Sequence, residues 1–268
     1  MFKNLYSYFF EAISDLRTFL WFLLKGPKFY TTFLEYTLRK FRQNNDSEYH
    51  HQQALDWCQN HKIELGDLYD QLNIQKSSKP VFEKEFIDEK QEIIFSSNSD
   101  FGGMGHAQLL YDISQSLDAK ICIETGVAYG WSSEAMLRHL SINNGYLYSI
   151  DMPMIGQADY ELIGFVVSEK NQPHWKLFRE PDRNGLLKAI RLANTRGGVD
   201  LVHYDSDKSY YGRSWSQPII YKSLRKGGYF ISDDIEDNLA FKEFVEENNY
   251  KFFVVEFQNK YVGIVPKL

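Results

Sequence analysis

The chain has 268 residues, 43% of them apolar and 16% aromatic, which is enough for a packed core and excludes a disordered polypeptide. Its net charge of −6 excludes a general nucleic-acid binder. The balance is uneven: residues 1–45 carry seven Lys or Arg against three acids, which leaves the remainder near −10.

In chain order, apolar residues at Phe2, Tyr6, Phe9, Ile13, Leu16, Leu20 and Leu23 recur every three or four positions, the mark of one helix face, and Gly26-Pro27 ends it. The apolar run FLWFLL at 19–24 is far shorter than the ~18 residues a membrane-spanning helix needs. Glu11 and Asp15 interrupt any signal-peptide core, so a cytoplasmic protein is expected. KFYTTFLEYTLRKFRQ and SEYHHQQALDWCQNHKI read as two further helices, the second capped by Asp46 or Ser47, with His50 and His51 on a solvated face. Residues 1–75 therefore form a helical N-terminal region. Its apolar stripe requires cover. The candidates are the following domain, to which it would be a lid, a second copy of the chain, as a dimer arm in a homo-oligomer, and an anionic membrane surface met peripherally by the basic, aromatic residues 1–45. Residues 76–104, with KSSKP, SSNSD and FGGMG, read as a linking loop.

From residue 105 the pattern alternates: helix HAQLLYDISQSL, strand KICIETG, helix SSEAMLRHL, strand GYLYSID, a helical stretch, strand WKLFRE, helix GLLKAIRLAN, strand VDLVHYD, helix SQPIIYKSLRK, strand GYFISDD and helix NLAFKEFVEEN. Such alternation predicts an α/β fold, a doubly wound and mostly parallel sheet. The tail YKFFVVEFQNKYVGIVP reads as two strands too close for a crossover, so the seven-stranded sheet should end in an antiparallel hairpin. Cys58 and Cys122, far apart, read as buried free thiols of a reducing compartment.

In a doubly wound sheet ligands bind at the carboxyl ends of the strands. The first strand ends at Glu124, followed by Gly126 and Gly130, which would let the backbone turn against a ligand, and by Ser132 or Ser133 as helix cap. Asp151 ends the second strand, where a carboxylate accepts ribose hydroxyls. The three-glycine dinucleotide fingerprint is absent, which favours a smaller adenosine-bearing cofactor over nicotinamide chemistry. Asp205, Asp207 and Lys208 follow the fourth strand and Asp233-Asp234 the fifth, so carboxylates converge there and a hard cation such as Mg²⁺ would relieve their repulsion. Asp207 reads as a loop cap and His203 as a satisfied core histidine.

The order Glu-x-Gly-x-x-x-Gly, Asp151, YDSDKSY, SDD and a terminal hairpin resembles the class I S-adenosylmethionine-dependent methyltransferases over residues 105–268, most like the metal-dependent catechol-type and sugar O-methyltransferase branch. The resemblance implies Glu124 and Gly126 near the methionine part of the cofactor, Asp151 on the ribose and Asp182 near the adenine, with Gly130 and Ser132 also binding the cofactor and Gly103, Met104 and His106 in a covering loop. It implies Mg²⁺ or another divalent cation on Asp205, Asp233 and Asp234, Lys208 as a base of lowered pKa with Asp205 sharing the role, and a small-molecule or glycan hydroxyl as acceptor. Asp-Asp in place of the catechol-type Asp-Asn leans toward a sugar-like acceptor. Two alternatives stay open: a metal-independent methyltransferase, acting on nitrogen among other atoms, and a non-catalytic binding or assembly protein on the same fold.

Overall fold

A computed structural model describes residues 47–97, 100–152 and 162–268, together with Leu20, Leu24, 26–30, Leu34 and Leu38. Its single sheet contains β1 (Ile121–Thr125), β2 (Tyr146–Ile150), β3 (Trp175–Phe178), β4 (Val199–Tyr204), β5 (Leu224–Ser232), β6 (Phe253–Phe257) and β7 (Lys260–Pro266). The order is β3-β2-β1-β4-β5-β7-β6; β1 to β5 pair in parallel, and β7 is antiparallel to both of its neighbours. The α/β class, the seven strands and the closing hairpin are those expected from the sequence. Strand order reverses between β1 and β4, the switch point at which a crevice opens.

The helices are α1 (Glu48–His61), α2 (Leu65–Leu72), α3 (Lys84–Ser96), α4 (Ala107–Ser116), α5 (Trp131–Leu140), α6 (Asp182–Asn194), α7 (Tyr210–Ser223) and α8 (Ala240–Glu247). Strand side chains alternate between two cores. Ile121, Ile123, Tyr148, Ile150, Val202 and Tyr204 face one, with Trp57 of α1, Leu186 of α6, Ile220 of α7 and Phe241 of α8. Cys122, Leu147, Leu201 and Ile231 face the other, with Leu68 of α2, Leu109 of α4 and Met136 of α5. Because both faces are covered, β1 and β4 are buried along their whole lengths, and both cysteines are buried free thiols.

The same alternation places polar groups. Glu124 and His203 are each two residues beyond a side chain of the α4–α5 core, and the register sets Glu124 opposite Ser149 on one side and His203 on the other. A polar row thus crosses the sheet one residue before β1, β2 and β4 end. Asp233, two residues past Ile231 and tied by its N–H to the Tyr204 carbonyl at 3.0 Å, extends that row past β5.

Two expectations are corrected. Residues 76–104 are not all loop: α3 lies within them, and its approach, with Phe82 and Phe86, packs on Trp131 beneath the Arg138 guanidinium, 5.1 and 4.8 Å above the two rings. Residues 47–72, helical as expected of the N-terminal region, pack against the two sheet cores: the Trp57 indole donates to Glu246 at 2.6 Å and stacks on Phe252, and the Ile63 N–H reaches the Val254 carbonyl at 2.9 Å. The helix expected to run through Lys226 stops at Ser223, and β5 begins at Leu224. Ser47 caps α1 by accepting the His50 N–H at 3.4 Å.

In the N-terminal region Leu20, Leu24, Tyr30, Leu34 and Leu38 are helical and exposed, while Phe29 is buried. The rest of the first helix, and with it most of the surface expected to cover a membrane or a second copy, lies outside the described residues. Among those described, no helix is long and apolar enough to cross a membrane.

Candidate functional site

Backbone hydrogen bonds carry the strand ladder into the loops: Gly126 N–H to Ile150 at 2.9 Å, Asp205 N–H to Thr125 at 2.8 Å and Asp151 N–H to Phe178 at 3.0 Å. The loops that hold the site are therefore continuations of the sheet. Gly126 has φ 80°, and a Cβ there would drive into the backbone carbonyl of Asp205; Gly130 has φ 95°, with a Cβ placed 2.9 Å from Gly164 Cα. Both glycines are required by neighbouring backbone, whether or not a ligand also lies against them. Gly130 itself is the N-cap residue of α5. Ser132 and Ser133, expected as caps, instead donate their hydroxyls to Glu124, joined by Ser149 at 2.8 Å. Asp151 Oδ2 accepts the N–H groups of Val127 and Ala128 at 2.8 and 3.1 Å and so fixes the loop after β1.

A cavity of about 310 Å³ opens over the carboxyl ends of β1, β4 and β5, within the range of small-ligand sites. Of the residues singled out in the sequence, Gly103, Met104, His106, Gly126, Gly130, Ser132, Asp205, Lys208, Asp233 and Asp234 line it. Glu124 and Asp151 stand one contact behind, Glu124 beside His203 and Asp151 bonded to Val127 and Ala128, while Asp182 lies further back, accepting from the Ser206 hydroxyl. Burial pushes Asp182 up to about 7 despite that hydrogen bond.

The β4 and β5 ends are dense in charge. The Lys208 ammonium bonds Asp234 and lies 3.1 Å from Asp205 Oδ1; Lys260 lies 3.0 Å from Asp234 Oδ1. Burial favours the neutral amine of Lys208, but the two carboxylates outweigh it and raise its pKa, opposite to the lowering expected from the sequence. Burial together with the charge of Asp233 raises the pKa of Asp205. Fully buried Arg213 donates to the carbonyls of Asp234 and Asp233 at 2.6 and 3.1 Å and fixes that turn, in which Asp234 takes φ 51°. Neither acid caps a helix with its side chain, and Asp207 closes its loop through the Ser209 N–H and hydroxyl.

His203 is buried, as read from the sequence, but not satisfied: neither ring nitrogen makes a hydrogen bond, and neither do His106 Nε2, Asp205 Oδ1 or Asp233 Oδ1. Burial disfavours an imidazolium at His203, yet Asp233 and Glu124 outweigh it and raise its pKa. Phe101, Tyr129, Phe257 and Lys260 also line the cavity and went unremarked as site residues. The signal for Lys260 is topological, since an antiparallel β7 starts where the parallel strands end and so puts its first residue at the site.

Residues 123–235 match a family model described as a methyltransferase domain. No curated protein sequence matches the chain. Similar solved structures include a cofactor-bound protein from MTB, at 10% identity over 69% of this chain and 90% of that one, with a TM-score of 0.54. An O-methyltransferase from Bacillus cereus in complex with SAH is 13% identical over 69% and 92%, TM-score 0.53. The O-methyltransferase TomG from Streptomyces achromogenes, involved in tomaymycin synthesis and bound to SAM, is 14% identical over 76% and 97%, TM-score 0.50. At such identities the likeness is one of fold. The matched segment runs from within β1 to just past β5, so this part of the chain is similar to a methyltransferase domain, and the chain has a Rossmann-like methyltransferase fold.

Proposed function

We propose that the protein transfers a methyl group from S-adenosylmethionine to a hydroxyl of a small-molecule or sugar-like acceptor. The observation that carries this reading is the cavity at the β1–β4 switch point of a methyltransferase domain, with carboxylate oxygens on its floor that make no hydrogen bond. The B. cereus and S. achromogenes O-methyltransferases, seen with SAH and SAM, support the donor.

In this reading the loop from Gly126 to Gly130, kept in shape by Glu124 and Asp151, walls the methionine part of the donor. Asp151 and Asp182 serve the ribose and adenine ends, and Gly103 and Met104 cover the site. The acceptor oxygen attacks the methyl carbon, the carbon–sulfur bond breaks, its electron pair stays on sulfur as a neutral thioether, and the hydroxyl proton must leave. Lys208, held as an ammonium by two carboxylates, is the charge partner, and Asp205, whose pKa is raised toward neutrality, is the group that takes the proton. A divalent cation, when bound, would supply a Lewis acid that lowers the hydroxyl pKa and fixes its direction. Of the three acids expected to hold it, Asp233 offers a buried oxygen without a hydrogen bond, which suits a cation, whereas Asp205 is paired with Lys208 and Asp234 with Lys208 and Lys260.

The test is transfer of label from methyl-labelled S-adenosylmethionine to a panel of vicinal-hydroxyl acceptors, with and without chelator. Labelled ether is expected with at least one acceptor, and Asp205→Asn should lower kcat by about 100-fold, the usual loss for a general base. Label on nitrogen only, or a rate untouched in Asp205→Asn, contradicts the reading.

A further inference from the structure

On the cavity floor, where α4 begins, His106, His203 and Asp233 offer one ligand atom each within 4.8 Å of one another. The Nε2 atoms of His106 and His203 lie 3.2 and 3.4 Å from the same oxygen, Asp233 Oδ1. His106 is 6% and His203 2% exposed, and none of these three atoms makes a hydrogen bond. Orphaned polar atoms at that depth are costly unless something meets them.

We propose that His106, His203 and Asp233 are the ligands of a divalent transition-metal ion, so that the metal of this site is chosen by imidazole nitrogen and is of the Mn²⁺, Fe²⁺, Co²⁺, Ni²⁺ or Zn²⁺ class in preference to Mg²⁺. Two ligand atoms each about 2.1 Å from one ion are separated by roughly 3.0–3.4 Å at right-angled to tetrahedral geometry, and the two histidine nitrogens stand at 3.2 and 3.4 Å from the carboxylate oxygen. The imidazole rings, centroids 5.3 Å apart and inclined at 81°, meet edge to face and turn their Nε2 atoms to a common point. Two imidazoles and one carboxylate with the remaining positions toward a cavity make a set that suits Fe²⁺ and its neighbours, while Mg²⁺ prefers oxygen throughout. Glu124 Oε1 stands 3.6 Å from His203 Nδ1, where an outer carboxylate orients a metal-bound imidazole. Lys208 pairs with Asp205 and Asp234, leaving Asp233 to the two histidines.

The competing account is an imidazolium at His203 bridging Asp233 and Glu124. Its two N–H···O contacts stand at 3.4 and 3.6 Å, without the alignment of hydrogen bonds, and it leaves His106 Nε2 unexplained. The metal proposal stands apart from the methyl-transfer reading, since S-adenosylmethionine has no part in these contacts.

The test uses the full chain freed of metal by dialysis against chelator, titrated calorimetrically with MnCl₂ and with MgCl₂, and Mn²⁺-loaded wild type examined by pulsed electron paramagnetic resonance. One equivalent of Mn²⁺ should bind about tenfold or more tightly than Mg²⁺, with nitrogen couplings from imidazole in the spectrum. His106→Ala and His203→Gln should each weaken Mn²⁺ about tenfold or more, while Asp234→Asn leaves it within about threefold. Equal affinity for both ions without nitrogen couplings, or no Mn²⁺ binding to wild type, overturns the proposal. The spectrum is taken on the unaltered protein and so does not depend on any variant folding. Calorimetry with S-adenosylmethionine on the same samples tests the methyl-transfer reading separately.

Discussion

The ends of β1 and β2 and the ends of β4 and β5 are neighbours on one sheet edge, carry similar acids, and are treated in opposite ways. At β1 and β2, Glu124 accepts three serine hydroxyls and Asp151 accepts two backbone N–H groups. At β4 and β5, buried His203 and partly exposed Asp205 and Asp233 keep atoms with no hydrogen bond. The first half is complete within the chain and sets the shape of a loop. The second is complete only with something from outside, so chemistry is assigned there.

Mutations sharpen this contrast, because a satisfied acid should matter most to stability and an unsatisfied one to function. The largest loss is expected from Glu124→Ala, which strips three hydroxyls, two of them buried, of their acceptor and leaves a cavity: about 4 kcal/mol by urea denaturation. Gly126→Ala forces the β1 loop off the Asp205 carbonyl and places alanine at φ 80°, for about 3 kcal/mol in the same assay. Asp182 gives a pH-dependent effect. Its folded pKa, about 7, lies above its ordinary 3.8, so its stabilisation is full below about pH 4 and is lost as pH rises through 7. Asp182→Asn stays neutral throughout, so its Tm relative to wild type should rise between about pH 4 and pH 8; a constant difference breaks the account of that carboxylate. Asp205→Asn, in the unsatisfied half, should change unfolding free energy by under about 1 kcal/mol, since the lost Lys208 pair is offset by relief of repulsion with Asp233, even as turnover collapses. The smallest effect is Leu34→Ser with Leu38→Ser, both exposed, at under about 0.5 kcal/mol.

Much of the fold was legible because each half of it writes a distinct period. Strands covered on both faces show as unbroken apolar runs such as ICIET, and the two tail strands, separated by only Gln258 and Asn259, can pair only antiparallel. The acids at the strand ends could be found because a doubly wound sheet gathers its strand ends. What the sequence could not show was which acid meets which partner. That His203 faces α4 follows from its register with Glu124 and Ile231, and pairing across a sheet leaves no mark within one strand. Helix α3 was missed because none of its residues is fully buried, so its apolar positions carry little period between two serine-rich flanks. The glycines after β1 were legible as a turn, but the reason for Gly126, a close backbone approach from residue 205, lies 79 residues away in sequence.

The most direct test of the central claim is calorimetric titration of S-adenosylmethionine into the full-length protein. One-to-one binding is expected in wild type, weakened at least tenfold when the loop after β1 is displaced by Gly126→Ala and little changed by Leu34→Ser with Leu38→Ser. No heat of binding in wild type, with or without divalent metal, would contradict the account.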